Sequence, residues 1–196
     1  MTAPPGVRTC LYDTPQLGAV MDTMARQLAS GLAGSCTPVA VIGVLRRGAP
    51  LADRLTALMV QRHGLAIPLR LDLSVKRYAD DLTLLYPETR LTEEPRHADL
   101  ALAGHTLLVV DDVLYTGHSL LRVVEYLARW QPAQIRCAVL VDRGVARLPV
   151  HADVLGVRLD VAPSDIIECN VPPYEPTFKV DVLQPHALRD GAPAPP

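Results

Sequence analysis

Three aliphatic runs constrain this chain most: VAVIGVL at 39–45, TLLVV at 106–110 and IRCAVLV at 135–141. A strand with one wet face alternates apolar and polar residues. Continuous runs of this length belong instead to strands covered on both faces, the condition of a parallel sheet. The segments between them carry helical periodicity. Thr14-Pro15 reads as an N-cap followed by proline at the first helical position, and Leu17, Val20, Met21, Met24 and Leu28 then share one face up to about Gly31. Leu51, Leu55, Leu58 and Met59 mark a second helix that ends before Gly64, and residues 120–130 a third. Further strands are expected over 67–73 and 154–161, with an edge strand over 177–183 among the late prolines. The alternation predicts an α/β fold: a mostly parallel, twisted sheet flanked by helices, with right-handed crossovers.

A chain of 196 residues fits one domain with a real core, here residues 1–184. One Trp and one Phe leave that core to aliphatic side chains. Pro4, Pro5 and the Pro-rich stretch 185–196 predict disordered ends. Residues 75–105 are charged, proline-bearing and weakly periodic. Apart from a short hairpin near 82–86 they read as a long loop, and loops of that length often serve as active-site lids. No apolar run approaches the ~18 residues of a membrane span, and no apolar signal core opens the chain. A soluble cytoplasmic protein without membrane contact is therefore expected. Cys10, Cys36, Cys137 and Cys169 have no CxxC spacing, which predicts isolated thiols. A net charge of −2 supplies no global field for nucleic acid, so an anionic ligand must be met by local groups. Lys76 and Lys179 are the only lysines; arginine does most of that work, and its planar fork suits phosphate.

In parallel sheets, ligands sit beyond the carboxyl ends of the strands. That rule gathers on one rim Arg46, Arg47 and Gly48, then VVDDVLYTGHS at 109–119, then Asp142, Arg143 and Gly144. In the middle segment an apolar strand ending at Val110 meets two carboxylates, Asp111 and Asp112. A short loop with Thr116, Gly117 and Ser119 follows, and then the third helix. Each part suits one portion of a phosphorylated sugar. Carboxylates accept from vicinal hydroxyls, glycine lets the backbone approach a phosphate, and a helix start favours its charge. Taken alone, paired aspartates after a strand equally cap a helix or bind a metal. No GxxxxGK[ST] loop and no GxGxxG fingerprint occurs.

VVDDVLYTGHS resembles the phosphoribosyl-pyrophosphate signature of type I phosphoribosyltransferases: apolar strand, two acids, two apolar residues, then TG-x-[ST]. Tyr115, GVLRRGAPLA at 43–52, Asp142-Arg143-Gly144, Leu148-Pro149 and Ala152-Asp153 extend the resemblance to the PyrR group. Members of that group are uracil phosphoribosyltransferases that also regulate pyrimidine operons by binding messenger RNA. The resemblance covers about residues 11–156 and implies the type I phosphoribosyltransferase fold with its lid.

By position it implies that Asp111 and Asp112 are catalytic, hold the ribose hydroxyls and meet Mg²⁺ indirectly, through those hydroxyls or water. Val113, Leu114, Tyr115, Thr116, Gly117, His118 and Ser119 would bind substrate, the last four around the 5-phosphate. Arg46, Arg47 and Gly48 would bind pyrophosphate, and Asp142 and Arg143 would border the base. The group's lid run Tyr-Arg-Asp-Asp-Leu is here Tyr78-Ala79-Asp80-Asp81-Leu82, so Lys76 or Arg77 would supply the catalytic cation. His118 stands where arginine is frequent. The implied partners are phosphoribosyl pyrophosphate, a nucleobase and the nucleoside monophosphate product, in a homodimer or higher homo-oligomer.

Uracil is the favoured acceptor over a purine, because hypoxanthine-type enzymes carry a lysine near the base and none follows 135–141. A second implied reading is an RNA-binding attenuation regulator of pyrimidine genes with weak or lost catalysis. RNA draws most of its affinity from neutralised phosphates. From Leu148 onward, however, Arg158, Lys179 and Arg189 face Asp153, Asp160, Asp165, Glu168, Glu175, Asp181 and Asp190.

Overall fold

The structure, a computed structural model, describes residues 6–34, 36–74, 90–91 and 102–185. Its elements run β1 (Gly6–Tyr12), α1 (Thr14–Leu32), β2 (Val39–Val44), α2 (Gly48–His63), β3 (Leu69–Ser74) and the two-residue β4 (Arg90–Leu91). They continue as β5 (Thr106–Leu114), α3 (His118–Ala128), β6 (Gln134–Asp142), β7 (Val154–Arg158), β8 (Ile166–Asn170) and β9 (Lys179–Pro185). The aliphatic runs lie side by side in a six-stranded sheet of order β4-β3-β2-β5-β6-β7. Every pairing from β3 to β7 is parallel, and β4 adds an antiparallel edge.

Both faces of this sheet are covered. Val41, Leu108, Val110, Ala138 and Leu140 pack with α1 and α2, while Ala40, Ile42, Leu107, Val109 and Val139 pack with α3. Successive side chains feed opposite cores, which is why the runs are apolar throughout. Leu107 and Leu108 are both fully buried. Each such leucine contributes roughly 2 kcal/mol by leaving water.

The N-cap of α1 is Asp13, one residue before the expected Thr14. Asp13 Oδ1 accepts from the Gln16 N–H at 3.0 Å, and Gln16 Oε1 accepts from the Asp13 N–H at 2.9 Å, a reciprocal capping box. Thr14 instead donates its hydroxyl to the Phe178 carbonyl at 2.7 Å, and Pro15 takes the second helical position. The predicted apolar face holds: Leu17, Met21, Met24 and Leu28 are buried, with Val20 packed at the margin. Helix α2 stops at Gly64, whose φ of 67° is the left-handed cap that glycine adopts without strain.

Several boundaries differ from expectation. Strand β3 begins at Leu69 rather than at 67: Pro68 has no N–H to give a ladder, and Ile67 is left 86% exposed. Strand β7 ends at Arg158, short of 161. Strand β5 continues through both aspartates to Leu114, with Asp111 opposite Val139 and Leu114 opposite Asp142. Pairing is a property of the backbone, so the change to polar side chains does not end the strand. Helix α3 starts at His118, which puts His118 and Ser119 in its first turn, and ends before Trp130.

A second, antiparallel sheet has the order β1-β9-β8. The expected edge strand near 177–183 is therefore a central one. Residues 6–12, for which the sequence predicted no element, form β1 and cover its other side. Cys169, Val171, Phe178 and Val180 of this region join the core beneath α1 and α2.

Residues 102–105, the end of the expected lid, are tied to the fold: Leu102 is buried among the α3-side core and the Gly104 N–H donates to Gln131 O at 3.0 Å; residues 75–89 and 92–101 lie outside the described residues. The hairpin near 82–86, Lys76, Arg77 and the two chain ends lie outside the described residues. No helix among the described residues is long and apolar enough to cross a membrane.

Candidate active site

Strands β2, β5 and β6 are neighbours and parallel, so their carboxyl ends open on one edge of the sheet. The three loops singled out in the sequence leave from that edge. Gly48, the first residue of α2, rests on β5. A Cβ there would lie 2.4 Å from Val110 O and 3.1 Å from Asp111 Cα, both backbone atoms. Only glycine lets the Arg46–Arg47 loop sit directly against the carboxylate strand. The third loop is tied to the second by two bonds, Arg143 N–H to Leu114 O at 3.2 Å and Arg147 N–H to Thr116 O at 3.0 Å.

Within this cluster Asp112 is buried and Asp111 half-buried. Asp111 Oδ1 accepts from the Asp112 N–H at 2.8 Å, and Asp112 Oδ1 accepts from the Val113 N–H at 3.0 Å, so each carboxylate is oriented by the next peptide. Val113 packs against the core and Leu114 is buried; both serve as strand backbone. Gly117 has φ 89° and is the N-cap of α3, with no side chain capping the helix. A Cβ on it would come within 2.5 Å of Val150 Cγ2. The first N–H groups of such a helix have no intrahelical partner and suit an anion. Thr116 Oγ1 and His118 Nδ1 lie 2.9 Å apart, and Ser119 is half-buried in the same turn. Asp142 Oδ1 accepts from the Gly144 N–H at 2.8 Å. Arg143 is buried, its guanidinium 4.5 Å from the Tyr115 ring centre and donating to Ala162 O at 3.1 Å.

Sequence reasoning missed two residues of this site, Tyr174 and Glu175, on the loop between β8 and β9. Arg47 donates through Nη2 to Glu175 Oε1 at 2.5 Å and through Nε to Oε2 at 3.3 Å. The Arg46 guanidinium lies 4.9 Å from the Tyr174 ring centre. The hydrogen bond it donates to Glu175 raises the Arg47 pKa further, against burial, with the charges of Glu175 and Asp112 adding to it. Burial alone pushes the Glu175 carboxyl up, but bonds from Arg47 and the Val171 N–H, with both arginine charges, bring it below the ordinary value. The Cys169 thiol beside Asp112 is pushed well up, first by burial and then by that carboxylate, and stays protonated. In the sequence, PPYEP offers proline punctuation and no period, so no local signal marks its glutamate as facing an arginine.

Among the described residues no group of three or more His, Cys, Asp or Glu side chains is placed to hold a metal. A Mg²⁺ ion that keeps its waters and arrives with substrate phosphates is held by one or two carboxylates. Asp111 or Asp112 would suit that mode and not an all-protein cage.

The family profile described as phosphoribosyl transferase domain matches residues 8–176. A Bifunctional protein PyrR from Deinococcus radiodurans is 31% identical over 192 residues, covering 96% of this chain and 100% of the relative. A Bifunctional protein PyrR from Thermus thermophilus is 30% identical over 185 residues, 93% of this chain and 97% of that one. Among solved structures, a hypoxanthine phosphoribosyltransferase from Trypanosoma cruzi superposes with a TM-score of 0.70 over 92% of this chain and 96% of its own, at 19% identity. That likeness shows the fold. The chain belongs to the type I phosphoribosyltransferases, among their PyrR-like members.

Proposed function

We propose that this protein transfers the phosphoribosyl group of phosphoribosyl pyrophosphate to uracil, giving the nucleoside monophosphate and pyrophosphate in a Mg²⁺-dependent reaction. One observation carries the reading: Gly48 seats the arginine loop against the backbone of Asp111, beside the uncapped, glycine-opened start of α3. Pyrophosphate, ribose and 5-phosphate then have adjacent receptors in the order the substrate presents them.

A ring nitrogen of the base attacks the anomeric carbon as the bond to pyrophosphate breaks. The base gives its N–H proton to solvent, and the leaving diphosphate takes the bonding electrons. Negative charge grows on the leaving group, so Arg46 and Arg47 stabilise it more in the transition state than in the ground state. Asp111 and Asp112 accept from the ribose hydroxyls and favour positive charge developing on the sugar. Mg²⁺ bound with the diphosphate would supply further charge neutralisation. Uracil is favoured because β6 ends in Asp142 and runs into Arg143, with no lysine there. The RNA-binding alternative finds little support at the C-terminal end, where Arg158 lies 3.7 Å from Asp160 and Lys179 2.7 Å from Asp181.

The test is pyrophosphate release from phosphoribosyl pyrophosphate and Mg²⁺ with a panel of free bases. Turnover with uracil well above that with hypoxanthine or guanine is expected. Turnover with a purine alone would reassign the acceptor, and none with any base overturns the transferase reading.

A further inference from the structure

Two consecutive residues of the β8–β9 loop engage two consecutive residues of the arginine loop: Tyr174 on Arg46 and Glu175 on Arg47. The geometry of the second contact is that of a ligand. Both oxygens of one carboxylate take the Nε and Nη2 donors of one guanidinium, the side-on fork through which arginine also holds two oxygens of a phosphoryl group. The carboxylate is presented by its own loop, since Glu175 Oε2 also accepts from the Val171 N–H at 2.8 Å. The loop is pinned at both ends by buried Val171 and Phe178, while Tyr174 between them is 40% exposed.

We propose that Glu175 is an internal competitor for the diphosphate, occupying Arg47 until the anion displaces it. The inference rests on the reading above, in which Arg46 and Arg47 bind pyrophosphate. It assigns to the second sheet a role in setting that affinity: the clasp holds the arginine loop in place when empty and yields its guanidinium when the anion arrives. The Arg47–Glu175 pair is partly open to solvent, with side chains 35% and 20% exposed. Exchange with a dissolved diphosphate therefore requires no core opening.

The experiment is calorimetric titration of the full chain with inorganic pyrophosphate and Mg²⁺. Glu175→Gln keeps an oxygen for the Val171 N–H and removes the charge, so pyrophosphate should bind about fivefold more tightly than to wild type, the scale of a partly exposed ion pair. In an Arg47→Gln background the same change should have no effect. A general charge effect would persist there. Equal or weaker binding by Glu175→Gln, at finite affinity, overturns the competitor and leaves the transferase reading standing. No binding by wild type or variant overturns both. Should Glu175→Gln melt below the assay temperature, Glu175→Asp withdraws the carboxylate by one methylene. It must then tighten binding by a smaller factor, and no gain again overturns the competitor.

Discussion

The two sheets of this protein are built on different physical terms. The six-stranded sheet is buried on both faces, and three of its strands end in the loops of Arg46–Arg47, of Tyr115–Gly117 and of Arg143–Gly144. The three-stranded sheet lends only part of its surface to the core. Four consecutive residues of β1 are exposed, and an ion pair between Arg8 and Glu168 at 2.9 Å spans β1 and β8. One sheet positions the chemistry by rigidity. The other reaches it through a single loop that carries Tyr174 and Glu175. The loops with the arginines and carboxylates leave the buried sheet, and the second sheet is where an arginine of that cluster acquires a carboxylate partner.

The largest expected effect tests the buried sheet. Replacing Asp111→Asn and Asp112→Asn together should lower turnover by a factor on the order of a thousand, the scale for losing preorganised electrostatic partners. The variant should still bind pyrophosphate, which the proposal assigns to the arginine loop. Near wild-type steady-state rates in the double variant would mean that the carboxylates at the end of β5 are not where the sugar sits.

Next in size is Gly48→Ala. The added Cβ meets backbone of β5 at 2.4 Å, and no side-chain rotation relieves that. A loss of about 2 kcal/mol is expected in urea denaturation, together with weakened pyrophosphate binding, because the arginine loop must lift from β5. Gly18→Ala on the exposed side of α1, where a Cβ meets nothing within 4 Å, should instead add about 0.5 kcal/mol. If the two alanines behave alike, close packing of loop on strand is not what assembles the site.

The same contrast explains what can be read from sequence. The buried sheet announces itself, since VAVIGVL is apolar at every position only because alternate side chains feed opposite cores. The loop receptors follow from the rule that ligands gather at strand carboxyl ends, and Gly117 and Gly48 mark where backbone must come close. Strand β5 outruns its apolar segment because hydropathy changes at Asp111 while backbone pairing does not. The second sheet is nearly silent in the sequence. GVRTCLY of β1 alternates weakly, and β8 pairs across prolines that obscure any period. The Glu175–Arg47 contact spans 128 residues and depends on how β8 returns beneath β5, which no local pattern encodes.

The smallest expected effect probes the joint between the sheets. The Glu175 carboxyl is held below its ordinary range: burial opposes this, and Arg47, the Val171 N–H and Arg46 outweigh burial. A lowered folded value means that the unfolded chain binds the proton more readily. The clasp therefore adds stability that is complete above the ordinary glutamate range and is lost as the pH falls through the lowered folded value. With Arg47 about a third exposed, solvent screening holds this to about 1 kcal/mol or less. Thermal melts of wild type and Arg47→Gln across the acid range should diverge above that window and converge below it. Parallel curves would mean that the contact contributes nothing in solution, and the second sheet would then bear on the site only through the core it shares with α1 and α2.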